Sequence, residues 1–357
     1  MYCLRFALIL QPNKKTMDKY TTMAPKNRGT FAERLAELYL RLGDYLDMER
    51  LEGRRLQYCK IFLSDAQNQY QQLIESELYQ EQLSPAFTSV VEQAPLDNSK
   101  ITLLLKTTDQ ADRYHFQSIR LTEEETRGNN SYLQTMMLFE KYLRWMDEQH
   151  LRLDTHCVRT WIYVADIDVN YQGVVKARND VFRRYGLTID THFIASTGIG
   201  GFSQTRSASV AMDFLTYPDI EEGDKTYLKA LDHLNPTHEY GVAFERGTRL
   251  TLDDQQIYYI SGTASIDKHG HVIYMGDIRR QTARLLENIG ALLKDGGATM
   301  NDIQYFIIYL RDGSDSEVVR DFMQRAYPDI PHVLVLAKVC RPEWLVEMEC
   351  IASKKGS

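Results

Sequence analysis

The chain repeats itself, and that limits its possible folds more than any other feature, because a repeated segment favours one supersecondary unit wherever it occurs. Slid against itself by 247 residues, the 357-residue sequence brings ten identities into one ungapped register. Gly29 falls on Gly276, Ala36 on Ala283, Leu38 on Leu285 and Gly43 on Gly290. Gln57 and Tyr58 fall on Gln304 and Tyr305, Ile61 on Ile308, Leu63 on Leu310, Asp65 on Asp312 and Pro95 on Pro342. Both copies parse alike. Apolar spacing predicts a helix (31–46; 278–293), a strand (56–64; 303–311), a second helix, and two further strands (87–92 and 100–106; 333–339 and 345–352).

A looser copy lies between them. Gln134 and Thr135 match Gln281 and Thr282, Leu138 matches Leu285 and Glu140 matches Glu287. A strand over 159–166 follows, then a helix carrying Val174, Val175, Val181 and Phe182, with Gly186 where a C-terminal cap belongs. Residues 191–201 and a strand near 207–214 complete it. The expected units are 1–106, 107–235 and 236–357, joined by the polar stretch 107–130 and the Pro- and acid-bearing stretch 217–240. The third unit opens with a predicted hairpin over 257–277, turning at Asp267-Lys268-His269-Gly270, with Asp277 as N-cap of the next helix. His269 and His271 flank that turn without a third ligand nearby, so the pair reads as turn residues and no metal is expected.

The chemistry concentrates near the C-terminus. In the strand ending the third unit, Leu345, Glu347 and Glu349 share one face, while Val346, Met348 and Cys350 share the other. The second set reads as the core side, which places two carboxylates about 6–7 Å apart on the face away from it. Two readings stay open from the pattern: acids on a solvated sheet face, or a shielded pair in which one carboxyl has a raised pKa and serves as general acid or base. The copies differ here. Opposite Glu347 the first has Lys100, opposite Cys340 it has Gln93, and opposite Arg311 it has Ser64. Only the third unit would then keep a working acid.

Bulk properties narrow the function. A net charge of -7 and short basic clusters such as Arg54-Arg55 argue against a nucleic-acid surface. Five cysteines (Cys3, Cys59, Cys157, Cys340, Cys350) without a Cys-x-x-Cys fit reduced thiols. The apolar run at residues 2–11 is too short to span a bilayer and lacks the form of a signal peptide, so the expected compartment is cytoplasmic, with no membrane partner.

The residues Ile260-Ser261-Gly262-Thr263-Ala264, the run Gly276-Asp277 through Gln281-Thr282 to Asn288, and Leu345-Val346-Glu347-Met348-Glu349 resemble the YjgF/RidA (Rid) superfamily, formerly labelled L-PSP endoribonucleases. Beyond that, the stretch from Arg159 to Asp166, Ala195–Gly200, Phe244-Glu245-Arg246-Gly247, Arg311 and Cys340-Arg341 resemble its chorismatase branch. The resemblance implies an α+β fold of repeated Rid-like (chorismate-mutase-like) units. Each would be a mixed sheet backed by two helices, and the three would form an internal pseudo-trimer with ligands bound between units. It implies a small-molecule enzyme without a cofactor, as a monomer or homo-oligomer, acting on a small anionic, enolpyruvyl-type cyclic carboxylate. Glu347 would be the catalytic acid, Cys340 would shape or react in the pocket, and Arg311 would hold a substrate carboxylate. Gly247 and Gly262 would let backbone approach the ligand, Thr197 and Gly198 would close the cleft as a turn, and Phe244 and Arg341 would line it.

Cys340 with Gly247 matches the branch that yields an aromatic hydroxybenzoate. A second carboxylate-binding arginine is missing from the strand after Gly201, and Arg206 is the candidate substitute. Two alternatives accompany this reading: a Rid-type imine or enamine deaminase, from which His332 and Phe244 depart at the expected Arg and Tyr positions, and a non-catalytic metabolite-binding protein. The residues also have plainer readings. Arg311 beside Asp312 is also an ordinary strand-end ion pair, Cys340 an inert thiol, and the glycines ordinary turn residues.

Overall fold

The computed structural model describes residues 18–355; Cys3 and the apolar opening run lie outside them. The chain begins with β1 (Asp18–Met23), α1 (Phe31–Leu51), β2 (Arg55–Leu63), α2 (Ala66–Ile74), β3 (Phe87–Glu92), β4 (Ala94–Pro95) and β5 (Ile101–Thr108). It continues through β6 (His115–Ile119), α3 (Glu123–Thr126), α4 (Ser131–Glu148), α5 (Leu153–His156), β7 (Cys157–Val164), α6 (Ile167–Arg184), β8 (Ala195–Gly200) and β9 (Val210–Thr216). The last part holds β10 (Lys225–Tyr227), β11 (Gly247–Thr251), β12 (Gln255–Ala264), α7 (Ile278–Asp295), β13 (Ile303–Leu310), α8 (Ser316–Ala326), β14 (His332–Leu336) and β15 (Val346–Lys355). The fold is mixed α+β.

Among the described residues the strands form three sheets, ordered β1-β5-β2-β3, β6-β9-β7-β8 and β10-β11-β12-β15-β13-β14-β4. One core pattern runs through all three: an antiparallel strand preceding the first long helix, the last strand, the strand after that helix, and a parallel partner after the second. The repetition reaches single residues. Each sheet carries a bulge at one equivalent place, between Leu56 and Tyr58, Cys157 and Arg159, and Ile303 and Tyr305. The bulges align Tyr58, Arg159 and Tyr305.

That alignment corrects the ungapped register. Tyr309 pairs with Glu347, but its counterpart Phe62 pairs with Thr102, two residues beyond Lys100. In the middle sheet the counterpart Tyr163 pairs with Ala211. The offset slips because the connection after α2 includes an extra π-helical turn at Leu78–Leu83. Two further expectations change. Ser196, Thr197 and Gly198 belong to strand β8 and do not form a turn. Beyond β12 the expected hairpin is reduced to one bridge, Ile266 with Val272.

Alternation sorts the strands into two faces. On the first sheet Cys59, Ile61, Leu63, Ile101, Leu103 and Leu105 pack under Leu35, Leu38, Leu42 and Leu46 of α1. The opposite face sends Phe62 and Leu104 into a cluster shared with Trp161, Tyr163 and Leu215 of the second sheet and Tyr309 of the third. Helices therefore cover the outer faces, and the inner faces meet each other. Capping supports the outer layer: Thr30 and Glu33 form a capping box on α1, and Asp277 accepts from Arg280 N–H at the start of α7. Gly186, at φ +77°, follows the C-cap of α6 as expected.

Candidate active site

The face that looked solvent-directed is an interior face. Glu347 is 5 % exposed and Glu349 2 %, while Val346, Met348 and Cys350 are buried on the helix side. The two acids then part company. Glu349 takes one donor on each oxygen, the Trp161 indole N–H at 2.7 Å and an Arg159 guanidinium N–H at 3.0 Å. Glu347 lies against the backbone of Gly262, where any Cβ would overlap its Oε1. Burial, and then the neighbouring Glu349 carboxylate, push the Glu347 carboxyl up to about 8, although Arg159 and Arg246 pull the other way. At neutral pH it holds its proton.

Glu347 opens into a cavity of about 660 Å³. One wall comes from α6, with Asp168, Tyr171 and Arg178, and from Gly198 of β8. The other comes from Phe244, Arg246, Gly262, Arg311, Cys340, Arg341 and Trp344. Four arginines thus share the lining with two acids, Asp168 and Glu347, and this excess of cations suits an anion. Arg178 and Arg246 are almost fully buried and flank the Phe244 ring, their guanidinium carbons 5.8 and 5.6 Å from its centre. Arg246 Nη2 donates to the Asn235 carbonyl at 3.1 Å, and Arg341 lies over the Trp344 ring at 4.9 Å. Arg311 donates to the Val339 carbonyl at 2.7 Å and grips both oxygens of Asp168 at 2.9 Å. Its ion partner is therefore Asp168, across the cavity mouth, and not the adjacent Asp312. Lys338 reaches the same carboxylate at 3.2 Å.

Cys340 shares the cavity with Tyr171, its hydrogen-bond partner, and burial pushes the thiol up to about 12. It is a neutral thiol at physiological pH, which suits shaping the wall better than nucleophilic attack. Gly198 leaves room for the Tyr171 ring, which a Cβ would meet at 3.2 Å. Thr197 lies beneath the floor, its hydroxyl accepting from Gly262 N–H at 2.9 Å and from Arg159. Two expected residues stand apart from the cavity lining. Gly247 is packed on β11, where a Cβ would meet Ile260, Leu228 and the Tyr259 carbonyl. Arg206 is exposed on a loop, with its backbone N–H on Glu123, outside the cavity lining.

Sequence reading missed Arg178, Tyr171 and Asp168. Arg178 did leave a signal, because it occupies the apolar stripe of α6 with Val174, Val181 and Phe182. A charged residue there asks for a buried partner or a ligand. No group of three or more metal-ligating side chains occurs among the described residues, and none of their helices is long and apolar enough to cross a membrane.

An α+β fold of this kind, with repeated sheet-and-helix units, is that of a Rid-type protein. The endoribonuclease L-PSP family model matches residues 247–354. A RutC family protein of Pyrococcus abyssi is 33 % identical over 99 residues, covering 27 % of this chain and 78 % of the relative. The 3-aminoacrylate deaminase RutC of Acinetobacter baylyi is 28 % identical over 98 residues, again 78 % of its length. This chain belongs to the YjgF/RidA (L-PSP endoribonuclease) superfamily. Across most of its length the fold is similar to a crystal structure of chorismatase, at a TM-score of 0.64 and 18 % identity, covering 84 % of this chain and 93 % of that one.

Proposed function

We propose that the protein is an enzyme that cleaves an enolpyruvyl-type ether from a small, anionic cyclic carboxylate. Segments 1–106, 107–235 and 236–357 would be three Rid-like units in an internal pseudo-trimer, with the working cleft between the second and third. The observation that carries this reading is the buried Glu347 carboxyl in the wall of an arginine-lined cavity, where burial favours its protonated form. Glu347 donates its proton to the terminal =CH₂ carbon of the enol ether, generating an oxocarbenium ion. Water adds to the oxocarbenium carbon, the one bonded to the ether oxygen, and returns a proton to Glu347. The hemiketal then releases pyruvate and the ring alcohol, so one water is consumed per ether cleaved.

Arg178, Arg246 and Arg341 offer two-pronged donors to ligand carboxylates. Arg311 becomes available to a ligand when the ligand's carboxylate replaces Asp168. Tyr171 and Cys340 bound the ring and limit where water reaches it. A single chain supplies both walls, so the reaction needs no second copy.

Turnover of chorismate, read as pyruvate release and as change in ultraviolet absorbance, tests the reaction. Glu347→Gln is expected to lower kcat by at least about 10²-fold while ligand affinity is kept. Retained turnover in that variant overturns the acid assignment, and retained binding with no turnover in the parent protein favours a metabolite sensor. The likeness to the RutC deaminase supports one rival. Ammonia release from 2-aminoacrylate or 3-aminoacrylate, with chorismate untouched, would establish imine or enamine hydrolysis instead.

A further inference from the structure

We propose that Glu349 is a positioning residue for the acid: tethered at both oxygens by Arg159 and Trp161 of the middle sheet, it sets the electrostatic surroundings in which the Glu347 carboxyl works. This rests on Glu347 being the acid and adds what holds it so.

The geometry is specific. Two carboxyls project from one face of β15, two residues apart, yet their surroundings are opposite. Glu349 has a donor on each oxygen, and both donors come from β7. Arg159 cannot swing toward Glu347, because its other contacts are Ser261 Oγ at 3.2 Å and the Thr197 hydroxyl. Ser261 is itself held, donating to the Glu245 carbonyl and accepting from Ser196 N–H. The guanidinium is locked onto one of two acids. The other is left against the glycine backbone of β12, with a like charge as its strand neighbour. Environments that push two carboxyls apart are how one becomes the acid and the other a fixed charge.

Arg246, like Arg159, opposes the protonated form of Glu347, while the other groups facing this pair favour it or are neutral. Lys60 of β2, whose ammonium lies 5.5 Å from the Trp161 ring centre and 4.9 Å from that of Tyr163, is attracted to Glu349. Tyr305 and Tyr309 of β13 lie near Glu349, Cys350 follows it on the opposite face of β15, and burial keeps each of these three protonated. Around Glu347 stand Arg246, Tyr171, Cys340 and Tyr309. Arg246 is the one cation among these four, and it also lies on the Asn235 carbonyl. The acid's protonation therefore depends on a contact between two different sheets.

The test reads the proton itself and needs no substrate. Full-length protein labelled at the glutamate carboxyl carbon is titrated by NMR, with the Glu347 signal identified by its loss in Glu347→Gln. The wild-type midpoint is expected well above the ordinary carboxylate range. In Glu349→Gln it should fall by more than one pH unit, because a like charge is removed. In Glu349→Asp, which keeps the charge, it should stay raised. Trp161→Phe, which removes one donor and retains a ring, should lower the midpoint by several tenths and serves if Glu349→Gln does not fold.

An unchanged midpoint in Glu349→Gln, or in Trp161→Phe where only that variant folds, overturns the proposal. So does a fall in Glu349→Asp equal to that in Glu349→Gln. The two claims fail separately: turnover that survives Glu347→Gln refutes the enzymatic role without touching this titration.

Discussion

At the scale of single residues, the consequence of burying Glu347 is a pH-dependent cost. The folded state holds this proton until about pH 8, whereas an unfolded chain releases it near the ordinary carboxylate value. The folded state therefore binds the extra proton throughout that window, and stability falls as pH rises through it, by up to about 1.4 kcal/mol per pH unit. Glu347→Gln removes that dependence. Thermal melts of the two proteins between pH 5 and 8 should diverge steadily, the variant becoming relatively more stable at high pH, and parallel curves would contradict the raised pKa. Glu347, Arg311, Cys340 and Gly262 were legible in the sequence because they sit in one continuous C-terminal pattern. Arg178 and Tyr171 were not. They reach the same cavity from α6, more than a hundred residues before Arg311, Cys340 and Glu347, and only the packing of two sheets brings them there. Gly247 misled because a glycine packed between strands reads like one beside a ligand.

At the scale of elements, the strand and helix order was readable because amphipathic periods of 3.6 and 2 recur in each copy. Register was not, since an extra turn after α2 shifts β5 by two residues without disturbing alternation, so the same face still points inward. The inward face of β2 carries the least comfortable residue in the fold, Lys60. Its ammonium is buried with no hydrogen-bond partner, held only by three aromatic rings and by distant acids, and burial pushes its pKa down to about 8. Buried charges replaced by well-packed apolar groups often leave stability equal or better. Lys60→Met is accordingly expected to match or exceed the parent's melting temperature. A drop of several degrees would mean that the cation–π contacts outweigh desolvation.

At the scale of the molecule, the sheets are joined by contacts that tolerate no added atoms. Gly200 of β8 donates its N–H to the Lys338 carbonyl at 2.8 Å, and a Cβ there would stand 2.8 Å from Lys338 N and 2.9 Å from its O. Gly200→Ala should cost about 1–3 kcal/mol in denaturant unfolding through forced backbone shifts. An unchanged midpoint would show that the two sheets slide freely. The first sheet is tied in as well, since Ala94 and Pro95 pair with the edge of β14. Thr102 and Ala211 occupy the places that correspond to Glu347. Three like protomers would change together with every mutation, whereas here the copies differ at this place, and two of them carry no carboxyl there. Calorimetric titration with a tight anionic ligand should therefore saturate at one molecule per polypeptide, and a stoichiometry of three would reveal binding wherever the repeated architecture recurs, with or without the acid.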